Sequence, residues 1–317
     1  MFPRSLAGAF AVLLALSLAA CGGGGSAEGS PPTSTVAADA GAAAFPVTLE
    51  AEKGRLVVDE RPDRIVSLSP TATESLFAIG AGEQVVAVDD QSDYPAGAPR
   101  TDLSGFQPNV EAIAGYDPDL VVAGFDPGGL VQGLEKVGVE VLLQPAATDL
   151  DEAYGQIEEL GAATGNAEKA EQVVADMRER IQELAASASA DAQGLSVYHE
   201  VSPDFYSATS KTFIGSVYEL LGLENIADEA GAGAPDYPQL SAEYILSADP
   251  DLVVLADTEC CGQTAAKVAK RPGWDGVAAV EKADVVGVSD DVASRWGPRT
   301  VDFVEAVVQA LPGEDGS

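Results

Sequence analysis

The sequence predicts an α/β protein made of two lobes joined by one long helix. Short β-branched runs alternate with helical stretches between residues 65 and 143, and again from 195 to 311, the pattern of parallel strands with covering helices. Between these zones, residues 149–190 keep helical periodicity with no strand pattern. Third, the chain contains EAIAGYDPDLVVAGFD at 111–126 and EYILSADPDLVVLADT at 243–258, which agree at eight of sixteen positions, 132 residues apart. Each alternating zone therefore holds one copy of the same unit.

The elements follow in order. Residues 47–58 form a hairpin around Lys53-Gly54. The next strand closes at Ser69-Pro70, and Thr71 caps a helix running to about Ile79. Strands follow at Val85–Val88, 120–123 and 139–143, with a helix at 128–137 between the last two. Thr148 opens a helix with acids in its first turn. The helix at 167–188, about 33 Å long at ~1.5 Å per residue, carries Val173, Val174, Met177, Ile181 and Leu184 on one face. Beyond it come a strand at 195–201, the helix TFIGSVYELLG, strands at 252–255 and 284–289, and a last helix at 298–311 with Val301, Val304, Val307, Val308 and Leu311. The division is a signal peptide at 1–20, a lipidated Cys and tether at 21–44, an N-terminal lobe at 45–148, bridging helices at 149–190 and a C-terminal lobe at 191–317.

Composition excludes several functions. The net charge is −34, which argues against a nucleic-acid partner, since a duplex needs clustered Lys and Arg. The acidity itself is accounted for by solubility or adaptation to salt. The chain has one His, so a His-rich metal receptor is excluded, and neither a metal site nor a cofactor is expected. No G-x-S-x-G, phosphate-cradling Gly loop or nucleophile–base pair is visible, so no enzyme is expected. His199 is either a ligand to iron or cobalt or a hydrogen-bonded structural residue.

The first residues are not part of the fold. Arg4 precedes an apolar run from Leu6 to Ala20, the n- and h-regions of a secretory signal, and the run ends in LAAC. This resembles the lipobox of bacterial lipoproteins, which implies cleavage before Cys21 and diacylation of its thiol. Residues 22–44 are Gly, Ser, Pro, Thr and Ala with almost no large apolar side chain, a tether spanning about 25 Å as a coil. The expected location is the extracytoplasmic face of the cell membrane, held by lipid.

RIVSLSPTATESLFAIGAGEQVVAVDDQSDYP, PNVEAIAGYDPDLVV, SAEYILSADPDLVV and RWGPRTVDFVEAV, in that order, resemble the substrate-binding proteins of ABC importers for ferric siderophores, haem and cobalamin. The resemblance covers residues 55–312. It implies two Rossmann-like lobes bridged by a single long α-helix, a ligand in the cleft between them, and a dimeric ABC permease as partner. It further implies that Glu111 and Glu243, the first residues of the two repeat copies, dock onto permease arginines. A two-fold symmetric permease presents one basic patch twice and needs one acidic patch twice. The other reading is that both are ordinary acids at helix N-termini.

Ligands of open α/β sheets sit beyond the carboxyl ends of the strands. Here those ends are Ser69, Pro70 and Thr71, the loop around Tyr94, Phe125, residues 199–209, Thr258–Gly262 and Asp290–Arg299. The resemblance adds Tyr94 and Tyr237, where cobalamin receptors of this family place ligand-facing aromatics, and Phe106, where they carry Trp. Each aromatic is either core or ligand contact. SRWGPR contributes Arg295, Trp296 and Arg299, and the planar fork of Arg suits carboxylate, hydroxamate or amide groups. Arg295 is the stronger candidate, because a basic group on a strand-end loop has little structural reason to be there. The expected ligand is a ferric siderophore, with cobalamin close behind and haem as an alternative. An envelope scaffold without a small-molecule ligand is the reading from another class. With Cys21 lipidated, Cys260 and Cys261 either pair with each other or remain two free thiols. Their Cα atoms, ~3.8 Å apart, lie below the usual disulfide range.

Overall fold

Every strand after the opening hairpin is bounded by a crossover helix or loop and pairs in parallel, as the alternation requires. The computed structural model describes residues 45–51, 54–230 and 235–311. β1 (Val47–Ala51) and β2 (Gly54–Val58) pair antiparallel. The first lobe then runs β3 (Ile65–Leu68), α1 (Pro70–Ala78), β4 (Val85–Asp89), β5 (Arg100–Leu103), α2 (Val110–Ala114), β6 (Leu120–Ala123), α3 (Leu130–Glu135) and β7 (Glu140–Leu143). Its sheet order is β5-β4-β3-β6-β7, all parallel. Two helices follow, α4 (Leu150–Thr164) and α5 (Ala167–Ala192). The second lobe runs β8 (Ser196–Glu200), α6 (Phe213–Leu221), β9 (Glu224–Asn225), α7 (Ala242–Ala248), β10 (Leu252–Leu255), α8 (Ala265–Val268), α9 (Ala278–Glu281), β11 (Val285–Gly287), α10 (Asp290–Ser294) and α11 (Thr300–Gln309). Its sheet is parallel in the order β11-β10-β8-β9.

In each sheet the first strand of the lobe lies inside, and the chain winds outward from it in both directions. The direction reverses between β3 and β6 in one lobe and between β8 and β10 in the other. A crevice outside the carboxyl ends of the strands opens at such a reversal.

Side-chain alternation along the strands feeds two sides. From the first sheet, Ile65, Leu120, Val122 and Leu142 join Ile157 and Leu160 of α4, Val174, Met177, Ile181 and Leu184 of α5, and Val197, Leu252 and Val254 of the second sheet in one core. The opposite faces close over separate cores, around Val66, Val121 and Leu134 in one lobe and around Tyr198, Val253 and Trp274 in the other. Phe303, Val304 and Val307 of α11 belong to the shared core. The lobes are thus joined by continuous apolar packing as well as by chain connectivity. Among the described residues, no helix is long and apolar enough to cross a membrane.

The repeat is a structural device in both copies. Ile113 and Ile245 are fully buried beneath their short helices. Asp117 and Asp249, with φ of 50° and 47°, turn the chain after them. The second Asp of each Asp-Pro-Asp then secures the head of the lobe's first strand. Asp119 Oδ2 accepts from the amides of Asp63 and Arg64 at 2.9 Å each, and Asp251 Oδ2 accepts from the amide and hydroxyl of Ser196 at 3.0 Å each.

Several boundaries differ from the sequence reading. Ser69, not Thr71, caps α1: its Oγ accepts from the Ala72 amide at 3.3 Å, and Pro70 occupies the first helical position, where no amide is lost. Asp149, not Thr148, caps α4, while the Thr148 amide and hydroxyl both donate to Glu152. α3 begins at Leu130 rather than 128, because Gly128 and Gly129 take φ of 65° and 76°. α5 extends four residues past 188, to Ala192, about 39 Å in all. β5 was not anticipated, since Arg-Thr-Asp-Leu carries little β signal and is placed by Thr101 donating to the Val88 carbonyl at 2.7 Å.

Candidate ligand-binding site

A cavity of about 530 Å³ opens at the carboxyl end of the first sheet, at the β3/β6 reversal. Its floor comes from the strand ends: Leu68 and Ser69 after β3, Asp89 and Gln91 after β4, Gly124 and Phe125 after β6, Pro145 and Ala146 after β7. Gly105 and Phe106 close one side, and Asp291, Ser294, Arg295 and Trp296 of the C-terminal segment close the other.

The floor is a buried polar network. Asp89 is almost fully buried and accepts from Ser92 Oγ at 2.6 Å. Thr73 Oγ1 donates to Ser67 Oγ at 2.8 Å and lies 3.0 Å from Ser92 Oγ. Burial raises the Asp89 pKa, and the Ser92 hydrogen bond opposes the rise. At Gly105 a Cβ would stand 2.6 Å from the Leu68 carbonyl oxygen, so only glycine lets the following loop come this close. That approach sets Phe106 beside Phe125, ring centroids 5.5 Å apart, both rings largely exposed.

The two arginines of SRWGPR have a structural task, so Arg295, although it lines the cavity, does have a structural reason to be there. Glu74 of α1 is 3% exposed, and its carboxylate accepts from Arg295 Nη1 at 2.9 Å and from Arg299 Nε at 2.8 Å. Arg299 Nη2 also donates to it, and the guanidinium stacks on Tyr94 at 4.3 Å from the ring centroid. Arg295 further donates to Asp93 at 3.1 Å and to the Gln91 carbonyl at 3.1 Å, and pairs with Asp291. The Glu74 hydrogen bond holds the Arg299 pKa above its ordinary value against desolvation. Burial raises Asp93 too, but Arg295 outweighs it and leaves the pKa lowered, whereas Asp291 stays raised, chiefly by burial. These contacts bind the C-terminal segment to the first lobe. Neither guanidinium has a charge left without a counterion.

Of the residues selected from sequence, Ser69, Pro70, Thr71, Phe106, Phe125, Arg295 and Trp296 meet at this cavity. Trp296 is oriented by donating Nε1–H to Gln156 of α4 at 2.8 Å. Arg299 and Tyr94 are not among the lining residues; they stack on each other, and Tyr94 is exposed. Tyr237 is half exposed on a loop of the second lobe. Asp291 and Ser294 fall within the stretch Asp290–Arg299 named from sequence, whereas Asp89, Gly105, Pro145 and Ala146 were missed, although the end of β7 was open to the same strand-end reasoning that found Phe125.

His199 is fully buried, with Nδ1 2.6 Å from the Tyr218 hydroxyl and burial lowering its pKa to about 3. It is a neutral core residue outside the cavity. Among the described residues, no group of three or more His, Cys, Asp or Glu could hold a metal ion.

At the reversal in the second sheet the chemistry differs. Glu200, fully buried at the end of β8, accepts from Tyr198 Oη at 3.1 Å and takes a bidentate pair from Arg271, which stacks on Trp274 at 4.8 Å. Asp257, just past β10, is also fully buried, and neither carboxylate oxygen has a hydrogen-bond donor. Burial first, then the neighbouring Glu200 charge, push the Asp257 pKa up to about 7, with Asp290 adding to the rise and Arg271 opposing it.

The periplasmic binding protein family model matches residues 65–292. This chain belongs to that family. A Bacillus subtilis protein described as an uncharacterized ABC transporter substrate-binding lipoprotein, YvrC, is 33% identical over 84% of this chain and 86% of its own. A cobalamin-binding protein of Halobacterium salinarum is 34% identical over 95% of this chain and 83% of its own. Among solved structures, the periplasmic vitamin B12 binding protein BtuF of Vibrio cholerae superposes with a TM-score of 0.65 at 29% identity, covering 79% of this chain and 97% of its own. The two-lobed α/β fold expected from sequence is the fold of these relatives, and the chain is a solute-binding protein.

Two outcomes follow from these charges. Arg295→Ala leaves buried Glu74 with Arg299 alone and removes the ion-pair partner of Asp93 and Asp291, so it should cost stability, up to about 3–5 kcal/mol, read as a lowered denaturation midpoint. An unchanged midpoint would return Arg295 to a purely ligand-facing role. For Asp257, the folded pKa lies above the unfolded value, so its stabilising contribution is full below about pH 4 and lost as pH rises to about 7. Asp257→Asn should therefore stabilise the protein at pH 8 by about 1–3 kcal/mol and flatten the stability profile between pH 4 and 7, measured by thermal denaturation.

Proposed function

We propose that this chain captures a corrinoid of the cobalamin type on the extracytoplasmic side of the membrane and delivers it to an ABC permease. The observation that carries the ligand class is the state of the arginines. Among the described residues, the charged ones lining the cavity are Asp89, Asp291 and Arg295, and Arg295 is already matched by Glu74, Asp93 and Asp291. A haem with its propionates or a trisanionic catecholate chelate would meet no free cation there, and would bring its charge against carboxylates. A neutral or cationic chelate avoids that cost. The Phe106–Phe125 pair offers such a chelate an apolar platform. This ground disfavours anionic siderophores and haem, and between the remaining neutral chelates, relatives named as cobalamin- and vitamin B12-binding proteins favour cobalamin over the ferric siderophore preferred from sequence. Binding without turnover is favoured because the one histidine is buried and hydrogen-bonded to Tyr218.

Titration with cyanocobalamin, a neutral ferric hydroxamate, a ferric catecholate and haemin, followed by quenching of tryptophan fluorescence, tests this. Cyanocobalamin should bind at least tenfold more tightly than haemin or the catecholate. Tighter binding of either anionic chelate would overturn the charge argument, and binding of none would favour a scaffold.

The partner and the anchor belong to the same proposal. Glu111 and Glu243 are both exposed, each in the first turn of its own short helix, after the caps Asn109 and Ser241. We assign them to docking on the permease, one per lobe. The double change Glu111→Ala, Glu243→Ala should abolish uptake and leave chelate titration normal, since truncating a desolvated interfacial charge costs ~2–5 kcal/mol. Wild-type uptake by the double variant would refute the assignment. Cys21 and the tether lie outside the described residues, and lipid anchoring there is proposed from the LAAC sequence, with a lipoprotein so named among the relatives.

A further inference from the structure

The internal repeat predicts which part of the second lobe faces the ligand. Its 132-residue offset places Asp257 opposite Phe125 and Cys260-Cys261 opposite Gly128-Gly129. The correspondence is structural as well as sequential: α2 with β6 and α7 with β10 share the buried Ile, the turning Asp and the strand-securing Asp. β6 and β10 each flank the reversal of their sheet. The loop after β6 supplies Phe125 to the cavity. The loop after β10 holds the equivalent place in the second lobe.

What that loop exposes is unusual. At the Phe125 position Asp257 is turned inward against Glu200, so no aromatic is presented there. The exposed residues are Glu259, Cys260 and Cys261, and the two cysteines are joined in a disulfide. The loop is held from both sides. Asp290 accepts from Thr258 Oγ1 at 3.2 Å, from the Glu259 amide at 3.0 Å and from the Cys260 amide at 2.8 Å. At the other end the Gln263 amide donates to the Asp257 carbonyl at 3.2 Å, and Arg271 donates to Gln263 Oε1 at 3.2 Å. Asp290 is followed directly by Asp291, which lines the cavity, so the disulfide loop and the cavity wall hang from one short helix.

We propose that the Cys260–Cys261 disulfide is the second lobe's contact surface for the bound chelate, carried on the loop equivalent to the one from which the first lobe presents Phe125, three residues beyond the Phe125 position. The inference rests on the corrinoid-receptor reading. A disulfide between neighbours closes an eight-membered ring, which removes side-chain freedom and presents a polarizable, apolar sulfur face with no hydrogen-bond donor. Such a face suits the flat, largely apolar side of a macrocycle. Two serines at the same place would be hydrated in the empty protein and would lose that hydration on binding. No covalent step is involved, and the sulfurs act by contact alone.

The test is calorimetric titration of cyanocobalamin into wild type and the double variant Cys260→Ser, Cys261→Ser, with thermal midpoints recorded for both. The expected result is a five- to twentyfold loss of affinity in the variant with a midpoint close to wild type. A second measurement on unaltered protein covers the case of a poorly folded variant. The rate at which dithiothreitol and iodoacetamide together modify the pair should fall at least threefold under saturating cyanocobalamin. Wild-type protein that binds the corrinoid, a folded variant that binds it equally well and an unprotected disulfide would overturn this inference while leaving the receptor reading intact. Wild-type protein that binds no chelate would overturn both.

Discussion

The carboxylate of Glu74, buried between Arg295 and Arg299, is the interaction on which the arrangement of the site depends. It ties α1 of the first lobe to the segment by which the chain returns from the second. A buried carboxylate is tolerated only when charge-assisted hydrogen bonds replace its lost hydration, so Glu74 demands both guanidinium groups where they stand. Their positions set those of Trp296 and Asp291, which wall the cavity, and of Tyr94, on which Arg299 stacks. Because the acids around the arginines outnumber them, the cavity has no free cation among the described residues, and the proposed preference against anionic ligands rests on the same contacts that hold the lobes together.

The second constraint is the continuous core. α4, α5 and α11 bury one face against apolar side chains drawn from both sheets. A hinge would have to expose part of that surface at about 25 cal/mol per Å². Small adjustments at the rim, where Phe106 and Phe125 are exposed, are therefore the natural response to a ligand. The two sheet reversals have diverged under this shared frame. One ends in an apolar aromatic pair above a hydroxyl network, the other in a buried acid pair beneath a disulfide loop.

The repeat illustrates how a sequence signal can carry two messages. Most of the matching positions are occupied for internal reasons: Ile113 and Ile245 fill the outer cores, Pro118 and Pro250 are buried, and Asp119 and Asp251 secure the heads of β3 and β8. Glu111 and Glu243 stand apart because they are exposed and touch none of this. Two-fold docking is the role proposed for those two residues, while two copies of one α/β unit explain the others.

What the sequence by itself determined was everything governed by short-range rules. β-branched runs placed β3, β6, β8 and β10, period-3.6 apolar spacing placed α5 and its buried face, and the rule of strand carboxyl ends led to Ser69, Pro70, Thr71 and Phe125 at the cavity. Short elements such as β5, α8 and α9 escaped, because four residues of weak propensity are placed by neighbours rather than by their own pattern. Only the tertiary structure decided the fate of the charges. Arg295 is 221 residues from Glu74 along the chain, and nothing local to SRWGPR reveals that its fork is occupied. The same holds for His199, whose partner Tyr218 lies on another element, and for Asp257, whose burial against Glu200 depends on how β8 and β10 register. Propensity and periodicity act within a few residues, whereas charge compensation is settled by whichever groups the fold brings within hydrogen-bonding distance.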